Sequence, residues 1–179
     1  MGDRPGNNYG TVIIRALVVL ALSSALNLAP PREPGTPLHV VGVVKDEAGR
    51  PISGATLHVY QTDTEGRYTP DRPMAESSAR LSGRLTTAAN GTFDIRTIRP
   101  GGYPKAVPLA GHDRHIPAHI HIDITATGHP ERRVQLVFAD DPLLADPYWK
   151  DWVAKLEQPV ATVAPEGRGQ LAHIELTID

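Results

Sequence analysis

Residues 114–124 read RHIPAHIHIDI and set three histidines, His115, His119 and His121, within seven positions. In an extended strand, side chains two apart lie on the same face. His119, His121 and Asp123 therefore share one side, and Ile120, Ile122 and Ile124 share the other. The isoleucines have the character of core. The histidines stand close enough together to bind one metal ion from a single rigid element, a role that neutral imidazole fills readily. Taken alone, His-x-His fits a polar strand face as well as it fits a metal site.

Two tyrosines weigh toward chemistry. Tyr68 lies in TDTEGRYTP and Tyr103 in TIRPGGYP, each just after an expected strand and each among glycine and proline. A tyrosine that packs in a core normally sits within a periodic apolar segment, and these do not. His112 and His115 flank Arg114 in the stretch leading to the histidine strand and read as solvated loop residues. His39, His58, His129 and His173 have no motif around them, and the scattered acidic residues suggest no paired-carboxylate site.

The elements that must position these residues follow a period of two from His39 onward. LHVVGVVKDEAGRPISGATLHVYQTD reads as strand, turn, strand, with Gly49, Pro51 and Gly54 in the reversal. GRLTTAANGTFDIRTI reads as a hairpin about Asn90-Gly91, the strongest short turn signal in the chain. AHIHIDITA, RRVQLVFA and GQLAHIELTID are further strands. Six or seven short strands predict an all-β chain folded as an antiparallel β-sandwich. One helix interrupts them in the C-terminal half. Asp146-Pro147 is an N-cap and first-turn pair, and Trp149, Trp152, Val153 and Leu156 fall on one face, predicted to pack on the sandwich.

The 179 residues suffice for one domain with a proper core. A net charge of −2 offers no polycationic surface and argues against nucleic acid. The absence of cysteine excludes disulfides, zinc–thiolate sites and iron–sulfur clusters. After Arg15 comes ALVVLALSSALNLAPPREPG, an apolar run, small residues and a proline-rich hinge. Residues 1–29 read as an export signal cleaved between Ser23 and Ala29, or as an uncleaved anchor tethering the chain to a membrane. The Pro-rich residues 30–37 form a linker, and 38–179 form the β domain. Export predicts a periplasmic or secreted protein.

In order along the chain, GVVKDEAGRPISGATLHVYQTDTEGRY, RLTTAANGTFDIRTIRPGGYP, IPAHIHI, VQLVF and DDP resemble the intradiol ring-cleaving dioxygenases, such as protocatechuate 3,4-dioxygenase and catechol 1,2-dioxygenase. The resemblance covers about residues 40–142. It implies a transthyretin-like sandwich and a mononuclear, non-haem ferric ion held by Tyr68, Tyr103, His119 and His121, with a solvent hydroxide. The ligand chemistry is coherent. Fe³⁺ is a hard ion suited to phenolate oxygen, and two phenolates with one hydroxide cancel its charge. By the same resemblance Tyr103 is the ligand that leaves the metal and accepts a substrate proton, and Gln135 in VQLVF stands beside the substrate. The substrate is a small aromatic diol, cleaved with O₂ between its two oxygen-bearing carbons to a muconate-type dicarboxylate.

Two positions depart from the family pattern. The family has Arg-Pro-Ala-His where this chain has Ile116-Pro117-Ala118-His119, and Arg114, two residues earlier, is the candidate to replace that arginine. The family also prefers tryptophan at Tyr60. The same turn rhythm resembles transthyretin-like and carboxypeptidase-regulatory-like binding modules without catalysis, which is the competing reading. A site of this shape filled by zinc or copper is a third. The ring substituents of the substrate and the formation of a homo-oligomer stay open.

Overall fold

The computed structural model describes residues 24–72, 74–106 and 113–179. The expected leader and membrane segment, residues 1–23, lies outside them, as does His112. Among the described residues no helix is long and apolar enough to cross a membrane.

The described residues are mostly β, with one α-helix among them. Its strands are β1 (Ser24–Asn27), β2 (Pro37–Asp46), β3 (Thr56–Gln61), β4 (Leu81–Thr86), β5 (Thr92–Ile98), β6 (Tyr103–Ala106), β7 (Asp113–Ile116), β8 (His119–Thr125), β9 (Arg132–Phe138), β10 (Val160–Glu166) and β11 (Gly169–Ile178). Nine of them form one hydrogen-bonded sheet in the order β1-β5-β2-β11-β10-β9-β8-β3-β4, and β6 pairs with β7 alone. The sheet is mixed: β1 with β5, β2 with β11 and β9 with β10 run parallel, and its other pairs run antiparallel. Its two edges meet at a seam, because an added methyl at Gly83 in β4 would stand 2.9 Å from the Leu26 side chain in β1.

Alternation decides which side faces in. Val40, Phe93 and Ile95 from one half of the sheet meet Leu57, Val59, Ile120, Ile122, Ile124 and Leu136 from the other, all of them buried. Each such side chain contributes about 1.5–3 kcal/mol by leaving water. The three isoleucines of β8 thus anchor the strand and leave His119 and His121 on its opposite face.

The expected turns are present, but neither closes a hairpin. At Asn90-Gly91 the chain reverses with Gly91 at φ +74°, yet β4 then pairs with β3 while β5 pairs with β2 and β1. The reversal at 47–54 likewise sends β2 and β3 to different neighbours. In both places the turn carries the chain from one half of the sheet to the other. The segment expected as a linker is docked, since Glu33 accepts hydrogen bonds from the Arg80 guanidinium at 2.7 Å. Helix α1 (Pro147–Lys155) has Asp146 as its N-cap, accepting from the Tyr148 N–H. Its buried face does not join the main core: Trp149 packs in a separate cluster with Tyr60, Tyr68, Tyr103 and Ile116, and Leu156 is exposed.

Candidate metal centre

Four side chains from three places meet on the outer face of β8. Tyr68 Oη lies 2.8 Å from His121 Nε2 and 3.2 Å from Tyr103 Oη, and His121 Nε2 lies 3.1 Å from His119 Nε2. All four residues are buried. His119 Nδ1 lies 2.8 Å from the Pro117 carbonyl oxygen, so it is Nδ1 that carries the proton and donates. The Nε2 lone pair is thereby turned toward His121, the tautomer that a metal-ligating histidine adopts when its other nitrogen is held.

The phenols are held neutral by their surroundings. Burial pushes Tyr68 far above the ordinary phenol range, with its hydrogen bond to Tyr103 acting in the same direction. Burial likewise raises Tyr103. A cation among the four donors reverses this balance, because it favours the anionic form of each oxygen. Two phenol oxygens and two imidazole nitrogens in mutual contact, buried and free of thiolate, suit a hard or borderline ion. The donor set therefore fits a ferric ion.

Local chemistry explains why the two tyrosines arrive together. Asp63 Oδ1 accepts from the backbone N–H groups of Glu65 and Arg67, which closes the turn before Tyr68. The Asp63 carbonyl accepts from Gly101 N–H at 2.8 Å, and the Thr62 hydroxyl donates to the Gly101 carbonyl at 2.9 Å. The Tyr68 and Tyr103 loops are thus tied backbone to backbone. Glycine is required there. A methyl at Gly101 would stand 2.5 Å from Thr64 O, and one at Gly66, where φ is +78°, would stand 2.5 Å from Gly102 O. On the histidine side, Asp141 Oδ2 accepts from Ala118 N–H at 2.8 Å and sets the start of β8.

The ladder places the remaining residues. His121 stands opposite Tyr60 in β3 and opposite Gln135 in β9, so all three share one face. The Tyr60 ring lies parallel to His121. Ile116, which occupies the position of the family's arginine, is buried in the tyrosine cluster and pairs with Tyr103 across β6 and β7. The backbone of Arg114 stands opposite Lys105 in that ladder, and its side chain lies outside the described part. His115 is exposed. Sequence reading passed over Asp63 and Asp141 as positioning residues. An Asp followed closely by residues whose N–H groups need an acceptor was the available signal.

A family model described as Dioxygenase matches residues 21–174 of this chain. The chain is 34% identical over 144 residues to chlorocatechol 1,2-dioxygenase of Rhodococcus opacus, covering 75% of this chain and 56% of that protein. It is 35% identical over 124 residues to the protocatechuate 3,4-dioxygenase beta chain of Burkholderia cepacia, covering 65% and 51%. Among solved structures, it matches the dioxygenase domain of a dioxygenase–carbohydrate-binding fusion from Streptomyces sp. SirexAA-E at 28% identity with a TM-score of 0.65, covering 88% of this chain and 90% of that one. The chain spans about half the length of the curated relatives it matches.

Proposed function

We propose, since the chain belongs to the intradiol ring-cleaving dioxygenase family, that it opens the ring of a catechol-type diol with O₂ at a non-haem ferric site. The observation that carries this reading is the contact of Tyr68 Oη, His121 Nε2 and His119 Nε2 at 2.8 and 3.1 Å on one buried face. Tyr68, Tyr103, His119 and His121 are the residues that would hold the ion. When bound, ferric iron supplies chelation of the diol and withdraws electron density so that O₂ reacts with the ring.

The protein's own groups do the rest. His119 and His121 are fixed on a strand whose other face is core, so they hold position while the other groups move. The diol must lose two protons to chelate. Tyr103 Oη, anionic wherever it would hold the ion, would take one of them and the site's solvent hydroxide the other, and burial keeps the proton on the phenol once it is there. Gln135, opposite His121 on the same face, is placed to orient reacting oxygen with its amide. Ile116 supplies no charge where the family's arginine stands, and we assign that role to Arg114. Among the described cations, Arg80, Arg99 and Arg133 are committed to Glu33, Asp140 and Asp123 respectively.

We read the two halves of the sheet, with their shared core, as the layers of a transthyretin-like sandwich. We also read the N-terminal apolar run as an export signal, which places the substrate diol outside the cytoplasm.

The test is a visible absorption spectrum with elemental analysis on protein purified without added metal. Tyrosinate on ferric iron gives a strong red-burgundy charge-transfer band that catechols shift. One iron per chain with that band supports the reading. A protein that stays colourless after ferric iron is added overturns it and favours the non-catalytic binding module.

A further inference from the structure

The outer face of β8 continues past the four donors. Two residues beyond His121, about 7 Å along the strand, Asp123 stands opposite His58 in β3 and Arg133 in β9. His58, Asp123 and Arg133, together with Tyr60, Ser82, Met74, Glu76 and Ser77, line a cleft of about 470 Å³. Tyr60 is shared: its ring packs on His121 on one side and forms part of the cleft on the other. A larger groove of about 660 Å³ over Val41, Phe93 and Ile174 belongs to the other half of the sheet.

The charges in the cleft are unequal in their freedom. Arg133 Nε donates to Asp123 Oδ1 at 2.6 Å, so these two compensate each other. His58 lies between Asp123 Oδ2 at 3.3 Å and the Ser82 hydroxyl at 3.2 Å. Glu76 is exposed and lines the cleft with its carboxylate. Met74, 52% exposed, gives the cleft an apolar rim. The balance left to a ligand is one negative charge, an apolar ledge and hydroxyls from Ser77 and Ser82.

We infer that this cleft is the subsite for the ring substituent of the substrate, and that it favours diols whose short tail ends in an ammonium group over diols whose tail ends in a carboxylate. A ring held at the four donors and extended along β8 brings its tail over Tyr60 and Met74, with the terminal group between Glu76 and the Asp123–Arg133 pair. A carboxylate there meets Glu76, while Arg133, the arginine that lines the cleft, is paired with Asp123; Arg84, the register partner of His58, lies outside the lining. The inference rests on the ring-cleavage reading above.

The experiment is anaerobic titration calorimetry on the iron-loaded full chain at mildly alkaline pH. The ligands are catechol and three 4-substituted catechols of equal tail length: aminoethyl, hydroxyethyl and carboxymethyl. The aminoethyl form is expected to bind at least about fivefold more tightly than the carboxymethyl form, with the hydroxyethyl form between them, as a charge partly screened by water allows. Glu76→Gln is expected to narrow that ratio to about twofold; Glu76 is exposed, so the variant is expected to fold. Equal affinities, a preference for the carboxylate, or a ratio unmoved in Glu76→Gln each overturn the inference while leaving ring cleavage standing. Failure of unsubstituted catechol to bind overturns the ring-cleavage reading and the inference with it.

Discussion

The imidazole of His121 lies flat against the phenol ring of Tyr60, with centroids 4.5 Å apart and planes 2° from parallel. The two residues are register partners in β8 and β3, so the stack is built by the ladder. Burial first, and the Asp123 carboxylate second, push the Tyr60 phenol up to about 12, which keeps its ring neutral at any working pH. Tyr60 therefore acts on His121 as a flat wall that fixes the plane of the imidazole.

Replacing that wall tests its role. Tyr60→Leu is expected to weaken iron retention about tenfold, the lower end of what a supporting contact to a metal ligand is worth. Tyr60→Trp is expected to retain iron like the parent, because the indole offers the same flat surface. Iron per chain after dialysis against a mild chelator reads both.

The donors themselves give a sharper loss. Tyr68→Phe removes one oxygen and His121→Ala one nitrogen from the contact set. Each variant is expected to purify without the charge-transfer band and with less than about a tenth of the parent iron, given how strongly affinity depends on ligand number. Either one keeping full iron and colour would remove that residue from the ligand set.

Gly101→Ala probes the tie between the tyrosine loops. The added methyl meets Thr64 O at 2.5 Å and Gly66 N at 2.6 Å, which are backbone atoms with nowhere to go. A loss of about 1–3 kcal/mol is expected, as for other overpacked sites. Iron affinity should fall with it, since both Tyr68 and Tyr103 are displaced. Chemical denaturation and iron content measure the two effects separately.

Glu33 makes a pH-dependent contribution. The Arg80 hydrogen bond holds its carboxyl below the ordinary range. That stabilisation is fully present above the unfolded value, near 4.3, and is lost as pH falls through the depressed folded value. Arg80 N–H also donates to the Tyr68 carbonyl, so the pair sits beside the site. Glu33→Gln is expected to cost at most about 1 kcal/mol at neutral pH, and to flatten the decline of melting temperature below about pH 4. A decline as steep as the parent's would show that the pair contributes nothing.

If the apolar N-terminal run is removed as a leader, β1 constrains where the mature chain begins. Leu26 and Leu28 pack with the core, and Ser24–Asn27 pair with β5. Mass spectrometry of the processed protein is expected to find an N-terminus at or before Ser24. A chain starting at Ala29 that kept the parent's stability would show β1 to be dispensable.

Much of the site could be read from sequence because its signals are local. Spacing put His119 and His121 on one strand face and glycine-rich flanks put Tyr68 and Tyr103 in loops, but it was the family resemblance that joined the four into one set. The helix cap at Asp146-Pro147 is equally local, and the observed helix starts there. What escaped was long-range. Asn90-Gly91 specifies a reversal, yet nothing near it says that β4 will seek β3 and β5 will seek β2. Strands β1, β6 and β7 span four residues each, too short to show alternation, and the SALN of β1 sits in a run that reads as leader. Tyr60 stood out only as a departure from the family's tryptophan, because its meeting with His121 depends on a register set by residues about sixty positions apart. Trp149 followed the helical period, but the surface it covers is the tyrosine cluster and not the main core.

The backbone lock between the Tyr68 and Tyr103 loops has a kinetic meaning as well. Loops joined through Asp63, Thr62 and Gly101 shift as one piece or stay put. If Tyr103 leaves the ion while Tyr68 remains, the departure must be a swing of one side chain about its own χ angles. Such a swing belongs to the fast, small-amplitude motions of proteins, so exchange of that donor for substrate would need no shift of the joined loop backbones.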